Sequence, residues 1–117
     1  MPAAALVLSL ALLASQDPPA SHDQTVTCVG VFLLLNAVIA GTLEADPSAD
    51  AQETAAAAGR LLKAADDDRV LAAQREEVSA EVSQQAVRDW VDLHVRRPDG
   101  VMSRELDPCL QRYMAAL

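Results

Sequence analysis

The sequence predicts an all-α protein, a small bundle of about four helices that follows an N-terminal signal-like segment and carries one disulfide. Alanine, the strongest helix former, occurs 23 times. Glycine occurs four times and aromatic residues three times, whereas a β-sandwich would need more of both for its turns and its core. The 117 residues suffice for one domain, which we expect to span 24–117.

The N-terminal residues resemble an export signal. Residues 3–14 form an apolar run broken only by Ser9, and the polar segment 15–20 follows it. This run suits the core of a signal peptide and is short for a membrane span, which needs about 20 residues. We therefore expect a signal peptide at 1–15, a flexible arm at 16–23 that contains His22, and a periplasmic or secreted protein. No Lys or Arg precedes the run and no small-x-small cleavage site follows it, so an uncleaved apolar arm stays open.

The second apolar run, Val26–Leu43, has 18 residues and no charge, which is near the lower limit for a spanning helix. Acidic residues flank it, whereas membrane helices are usually oriented by Lys or Arg in their flanks. We interpret the run as a core helix that its neighbours surround on all sides. A membrane helix or a dimerisation helix is the alternative.

Local signals place the first two helices. The first covers about 24–43. Asp46 is expected to cap the second helix and Pro47 to occupy its first position, and this helix then continues to about Ala65.

Two more helices are expected after residue 65. The three consecutive acids 66–68 suit a helix N-terminus, so the third helix is predicted from there to Val95. A break at Ser79 or Ser83 stays open, as does a second and third helix that form one bent helix. A turn follows at 98–100, and Asp107 and Pro108 are expected to open the last helix. Its inward face would carry Cys109, Leu110, Tyr113, Met114 and Leu117.

The two cysteines are the strongest candidate site residues. In an exported chain, Cys28 and Cys109 predict one disulfide that joins the first helix after the signal-like segment to the last helix. In a cytosolic chain, two buried free thiols would be the expectation instead. There is no C-x-x-C motif, so a redox role has little support.

Nothing in the sequence indicates catalysis. The sequence has no P-loop, dinucleotide-binding, H-E-x-x-H or G-x-S-x-G motif, and it has only two histidines, His22 and His94. His94, with Asp92 nearby, is interpreted as a surface residue, and Trp90 and Tyr113 are interpreted as core residues. We expect no catalytic, cofactor or metal site, because adjacent aspartates such as 66–68 lack the alternating spacing of a calcium loop.

Cys28, Gly59-Arg60-Leu61 and Cys109 together resemble small secreted helical proteins of unknown function from alphaproteobacteria. This resemblance implies export, helices and a disulfide, and it implies no activity. A looser likeness, in format alone, links the chain to small periplasmic acid-stress chaperones, although its cysteines lie further apart.

The net charge of −8 argues against a nucleic-acid partner, because phosphate binding needs a concentrated basic surface. We therefore expect an exported binding module of the bacterial envelope with a protein partner. A membrane-associated accessory protein that uses Val26–Leu43 is the alternative, and a homodimer that buries this helix also stays open.

Overall fold

A computed structural model describes residues 18–117, which form four α-helices and a final turn of 3₁₀-helix. The helices are α1 (His22–Ala45), α2 (Ala49–Arg75), α3 (Ala80–His94) and α4 (Asp99–Tyr113), and the 3₁₀ turn covers Met114–Ala116. The predicted fold class, an all-α bundle of about four helices with one disulfide, is confirmed. The predicted signal peptide at 1–15 lies outside the described residues.

Helix α1 begins two residues earlier than expected. Ser21 is its N-cap: the Ser21 hydroxyl accepts a hydrogen bond from the backbone N–H of Gln24, and the Gln24 side chain accepts one from the backbone N–H of Ser21. Ala20 and His22 are buried. The prediction of a flexible arm up to residue 23 is therefore wrong for this stretch, because the reciprocal cap and two buried side chains fix it to the bundle.

The connection between α1 and α2 differs from the predicted one in the residue that caps α2. Ser48, not Asp46, caps α2 by accepting a hydrogen bond from the backbone N–H of Ala51. Asp46 instead ends α1 with an extended backbone. A residue that precedes proline is restricted to extended conformations, so Pro47 prevents Asp46 from continuing the helix.

Helix α2 continues through the three aspartates, so the predicted helix boundary at 66–68 is wrong. Each carboxylate has its own partner within the folded chain: Asp66 pairs with Arg69, Asp67 with Lys63, and Asp68 with the Tyr113 hydroxyl. Partners three and four residues away lie on the same helix face, so these pairs stabilise an uninterrupted helix.

Helix α2 ends in a left-handed turn at a residue that is not glycine. Glu77 has a φ of 58°, and the backbone N–H of Val78 donates to the carbonyl of Ala73 across six residues. This is the Schellman arrangement, which usually places glycine at that position. Ser79, one of the two break points that the sequence left open, then caps α3.

Helix α4 begins at Asp99, eight residues before the predicted start at Asp107. Pro98 is its N-cap residue, and the backbone N–H of Met102 donates to the Pro98 carbonyl. Pro108 therefore lies inside the helix, where it removes one backbone hydrogen bond. The helix persists because Cys109 and Tyr113, which follow the proline, are both buried in the core.

The four helices differ in length, and this shapes the molecule. Helices α1 and α2 are about 36 and 40 Å long, while α3 and α4 are about 22 Å each. His22 contacts Ser83 and Gly30 contacts Trp90, so α3 runs parallel to α1 along its N-terminal half. The core lies there, and the rest of the α1–α2 pair extends beyond the two shorter helices.

Candidate interaction surface

The disulfide joins α1 to α4 in the centre of the core. Cys28 and Cys109 are buried, their Cα atoms lie 5.4 Å apart, and 81 positions separate them in the sequence. The predicted bond is therefore present. Disulfides persist in oxidising environments, so this bond indicates a compartment outside the cytoplasm.

Aromatic packing and one polar contact surround the disulfide. The rings of Phe32 and Tyr113 meet edge to face with their centroids 6.1 Å apart. The Tyr113 hydroxyl donates a 2.7 Å hydrogen bond to Asp68 on α2. Burial of the phenol, followed by its hydrogen bond to the Asp68 carboxylate, raises the pKa of Tyr113 well above its ordinary value.

A second polar cluster lies at the junction of α1, α2 and α3. The fully buried Ser83 accepts a 2.6 Å hydrogen bond from the Arg69 guanidinium and lies 2.7 Å from His22 Nε2. Because Arg69 already donates to Ser83 Oγ, the Ser83 hydroxyl proton is available to His22 Nε2. Glu76 accepts from the backbone N–H of His22, and Asp66 accepts from Arg69 Nε.

This cluster contains a serine–histidine pair that the sequence did not reveal, since 61 residues separate Ser83 from His22. A nucleophile and its base must reach a substrate. Here both side chains are buried, which closes them to a substrate in solution. In this arrangement the pair joins α1 to α3, and Arg69 connects it to α2.

The other residues considered for chemistry do not come together in one site. His94 stacks on Trp90 with ring centroids 4.5 Å apart, whereas Asp92 is exposed. Trp90 packs on Gly30 and Tyr113 on Phe32, so each aromatic ring fills its own part of the core. Within the part of the chain that the structure describes, there is no group of His, Cys, Asp or Glu side chains that could hold a metal ion.

The outer part of the α1–α2 pair is the candidate interaction surface. We call residues 35–57 the outer hairpin; none of them is buried, whereas nine residues of α1 up to Leu34 are. Its base is fixed by Asn36, whose amide donates to the carbonyl of Ala58 on α2. Its α1 portion is apolar from Ala37 to Leu43 except for Thr42, and Val38 is 66% exposed.

The prediction of a core helix is therefore confirmed for one half of α1 and wrong for the other. α1 lies at the centre of the bundle up to Leu34, but α3 ends at His94, too early to cover the C-terminal half of α1. By length and composition α1 could cross a membrane: its most apolar 18-residue window has a mean hydropathy of 2.2, and 39% of that window is buried in the bundle.

Comparisons with protein families, with curated proteins and with solved structures find no match for this chain.

Proposed function

We propose that this protein is an exported interaction module of the bacterial envelope, which presents its outer hairpin to a protein partner. The observation that carries the proposal is the apolar stretch of α1 from Ala37 to Leu43, in which no residue is buried and Val38 is 66% exposed. A contiguous exposed apolar surface on a folded protein usually marks a site of interaction. We assign the protein no catalytic role, and the burial of Ser83 and His22 supports this assignment.

The compartment in this proposal is supported by the Cys28–Cys109 bond and by the apolar run at residues 3–14. The intact mass of the protein isolated from the cell that makes it, measured before and after reduction and alkylation, tests both. We expect a chain that lacks about the first 15 residues and whose two thiols alkylate only after reduction. A full-length chain with two free thiols would contradict export.

The interaction surface can be tested by cross-linking within the cell. A photoreactive residue replaces Val38 in one variant and Leu93 on α3 in the other, because these side chains are similarly exposed, at 66% and 76%. We expect covalent protein adducts from position 38 and few from position 93. Equal yields at the two positions, or adducts at neither, would contradict the proposal that the outer hairpin is the interaction surface.

The second candidate is a membrane-associated accessory protein, which the hydropathy of α1 favours. To cross a bilayer, however, α1 would have to leave the core, although the bond to Cys109 ties Cys28 to α4. Membrane association that resists alkaline carbonate would support this candidate, and release of the folded protein into the soluble fraction would support the interaction module.

A further inference from the structure

We propose that the outer hairpin docks against the outer hairpin of a second copy of this chain, with the two hairpins antiparallel about a two-fold axis. The inference rests on the proposed function and names the partner. It follows from the distribution of charge along the chain and from where the fold places that charge.

The outer hairpin carries acidic residues and no cation, since every Lys and Arg in the sequence lies at or after Arg60. Its four acids, Glu44, Asp46, Asp50 and Glu53, are all exposed, and we call the three nearest the α1–α2 connection, Glu44, Asp46 and Asp50, the acidic tip. An anionic bilayer surface repels such a tip. A protein surface with cations placed beside an apolar patch attracts it, so the charge favours a protein as occupant.

The chain itself provides such cations at the base of the outer hairpin. Arg60 follows the Asn36–Ala58 contact by two residues. Arg96 and Arg97 follow α3, whose parallel alignment with α1 brings its C-terminal end level with the region around Leu34. We call Arg60, Arg96 and Arg97 the base cations; all three are exposed, and none of them forms a salt bridge within residues 18–117.

A two-fold arrangement matches the acidic tip to the base cations. The base at Asn36 and the tip at Asp46 are ten residues, or about 15 Å, apart along α1. With the axis near the middle of this stretch, each tip lies beside the base of the other copy, and symmetry forms the contact twice.

The middle of the stretch also suits close approach. Gly41 lies there, and no heavy atom of its own chain outside the helix backbone lies within 4 Å of the place that a Cβ would occupy. Packing inside the chain therefore does not require a glycine at this position, and its missing side chain leaves room for a second helix. The exposed Val38, one turn away, would be covered by the same contact.

The size of the surface predicts a weak dimer. The outer hairpin is two helices wide and about 15–20 Å long, so it offers a few hundred Å² per copy, less than the roughly 800 Å² of a standard stable interface. We therefore expect an equilibrium between monomer and dimer in the micromolar range of protein concentration.

Sedimentation velocity of the oxidised protein across the micromolar range tests the proposal first. The variant is Val38→Glu and the matched control is Leu93→Glu, since both residues are exposed and apolar. We expect the wild-type protein and Leu93→Glu to dimerise with rising concentration, and Val38→Glu to stay monomeric with an unchanged circular dichroism spectrum. A wild-type protein that is monomeric throughout, or a dimer that tolerates Val38→Glu, would overturn the proposal.

A charge exchange tests the antiparallel geometry. One variant reverses the tip with Glu44→Arg and Asp50→Arg, and the other reverses the base with Arg60→Glu, Arg96→Glu and Arg97→Glu. Each variant alone places like charges together, so we expect dimerisation weakened by about tenfold or more, while their mixture restores it. Two variants that dimerise as well alone as together would exclude this arrangement.

The failure of this inference can be told apart from the failure of the proposed function. If the protein is monomeric but position 38 still cross-links to a different protein, the proposed dimer is wrong and the proposed interaction module stands. Adducts at neither position would overturn both. If no dimer forms and the wild-type protein, but not Val38→Glu, binds neutral phosphatidylcholine vesicles, the outer hairpin binds a lipid surface and not a second copy.

Discussion

The indole ring of Trp90 occupies the space that a side chain at Gly30 would need, because a Cβ there would overlap the ring. This contact sets the distance between α1 and α3. Gly30→Ala forces the indole to move, and overpacking of this kind costs about 1–3 kcal/mol, more than the gain of about 1 kcal/mol in helix propensity. We expect a net destabilisation of up to about 2 kcal/mol, measured by urea unfolding.

Gly59→Ala is the matched control for this prediction. No neighbouring atom lies within 4 Å of a Cβ at Gly59, which is exposed in the middle of α2. Alanine there gains helix propensity at no steric cost, so we expect a stabilisation of up to about 1 kcal/mol. Equal effects of the two substitutions would show that Trp90 does not restrict α1.

Glu77→Gly is expected to stabilise the protein. Glu77 adopts a left-handed backbone at the end of α2, which costs a residue with a Cβ roughly 1 kcal/mol and costs glycine nearly nothing. Glycine also loses more entropy on folding, so the expected net gain is about 0.5 kcal/mol in the free energy of unfolding. Glu77→Ala, which keeps a Cβ at the same left-handed position, is the control and should bring no such gain; a loss of stability in Glu77→Gly would contradict the argument.

The sequence predicts the features that depend on local signals. The apolar run that becomes α1 and a cap at Ser79 or Ser83 could be inferred from residue type and spacing. The pairing of Cys28 with Cys109 followed instead from the expectation that the chain is exported. The fold class follows from the same signals and from composition.

The helix boundaries that were predicted wrongly depend on contacts between residues that are distant in the sequence. Asp68 looks like a helix start until Tyr113, 45 residues away, is seen to donate to it. Asp107 and Pro108 resemble the start of a helix. The local sequence does not show that burial of Cys109 in the core keeps the helix continuous through Pro108. The end of α2 lacks its usual signal, since Glu77 stands where glycine is expected.

The candidate surface could be predicted only in part. The apolar composition of Val26–Leu43 indicated a helix that neighbouring helices bury. Which half of it is buried depends on the relative lengths of the helices, which the composition does not give. The buried contact between His22 and Ser83 had no local signal at all.

Alkaline pH is expected to destabilise the fold through Tyr113. Its pKa in the folded protein is raised, so the neutral phenol contributes stability that is fully present below the unfolded pKa of about 10 and is lost as the pH rises above it. We expect the free energy of unfolding to fall more steeply above about pH 10 in the wild-type protein than in Tyr113→Phe. Parallel curves for the two proteins would contradict this role.

The same tyrosine can be titrated directly, because the chain contains only one. Its ultraviolet absorbance should show ionisation at a higher pH in the folded protein than in urea. Asp68→Asn removes the carboxylate that accepts from the phenol, so we expect the pKa of Tyr113 to move back toward its ordinary value in that variant. An unmoved titration would show that burial alone raises the pKa.

Loss of the disulfide is expected to lower stability substantially. Closing a loop of 81 positions corresponds to about 4–5 kcal/mol in the chain-entropy treatment. A Cys28→Ala/Cys109→Ala double variant should therefore unfold at a much lower urea concentration than the oxidised protein. A reductant should shift the wild-type midpoint and leave that of the double variant unchanged. A reductant-insensitive wild type would show that the bond contributes little.

Ser83→Ala tests the buried polar cluster. The substitution removes the acceptor of Arg69 and the partner of His22 Nε2 in a site closed to solvent. A buried polar group that is left unpaired costs about 1–3 kcal/mol, so we expect a destabilisation of about 2 kcal/mol or more. Ser103→Ala, at an exposed position on α4, is the matched control and should be neutral.

The cluster should also behave as one unit. Arg69→Met removes the donor of the hydrogen bond that Ser83 accepts, and it leaves the half-exposed Asp66 without its ion-pair partner. If Arg69 and Ser83 depend on each other, Arg69→Met combined with Ser83→Ala will destabilise less than the sum of the two single variants, with a coupling of about 0.5–3 kcal/mol. Strict additivity would mean that the two side chains stabilise the helix junction independently, and that Ser83 serves mainly as the partner of His22.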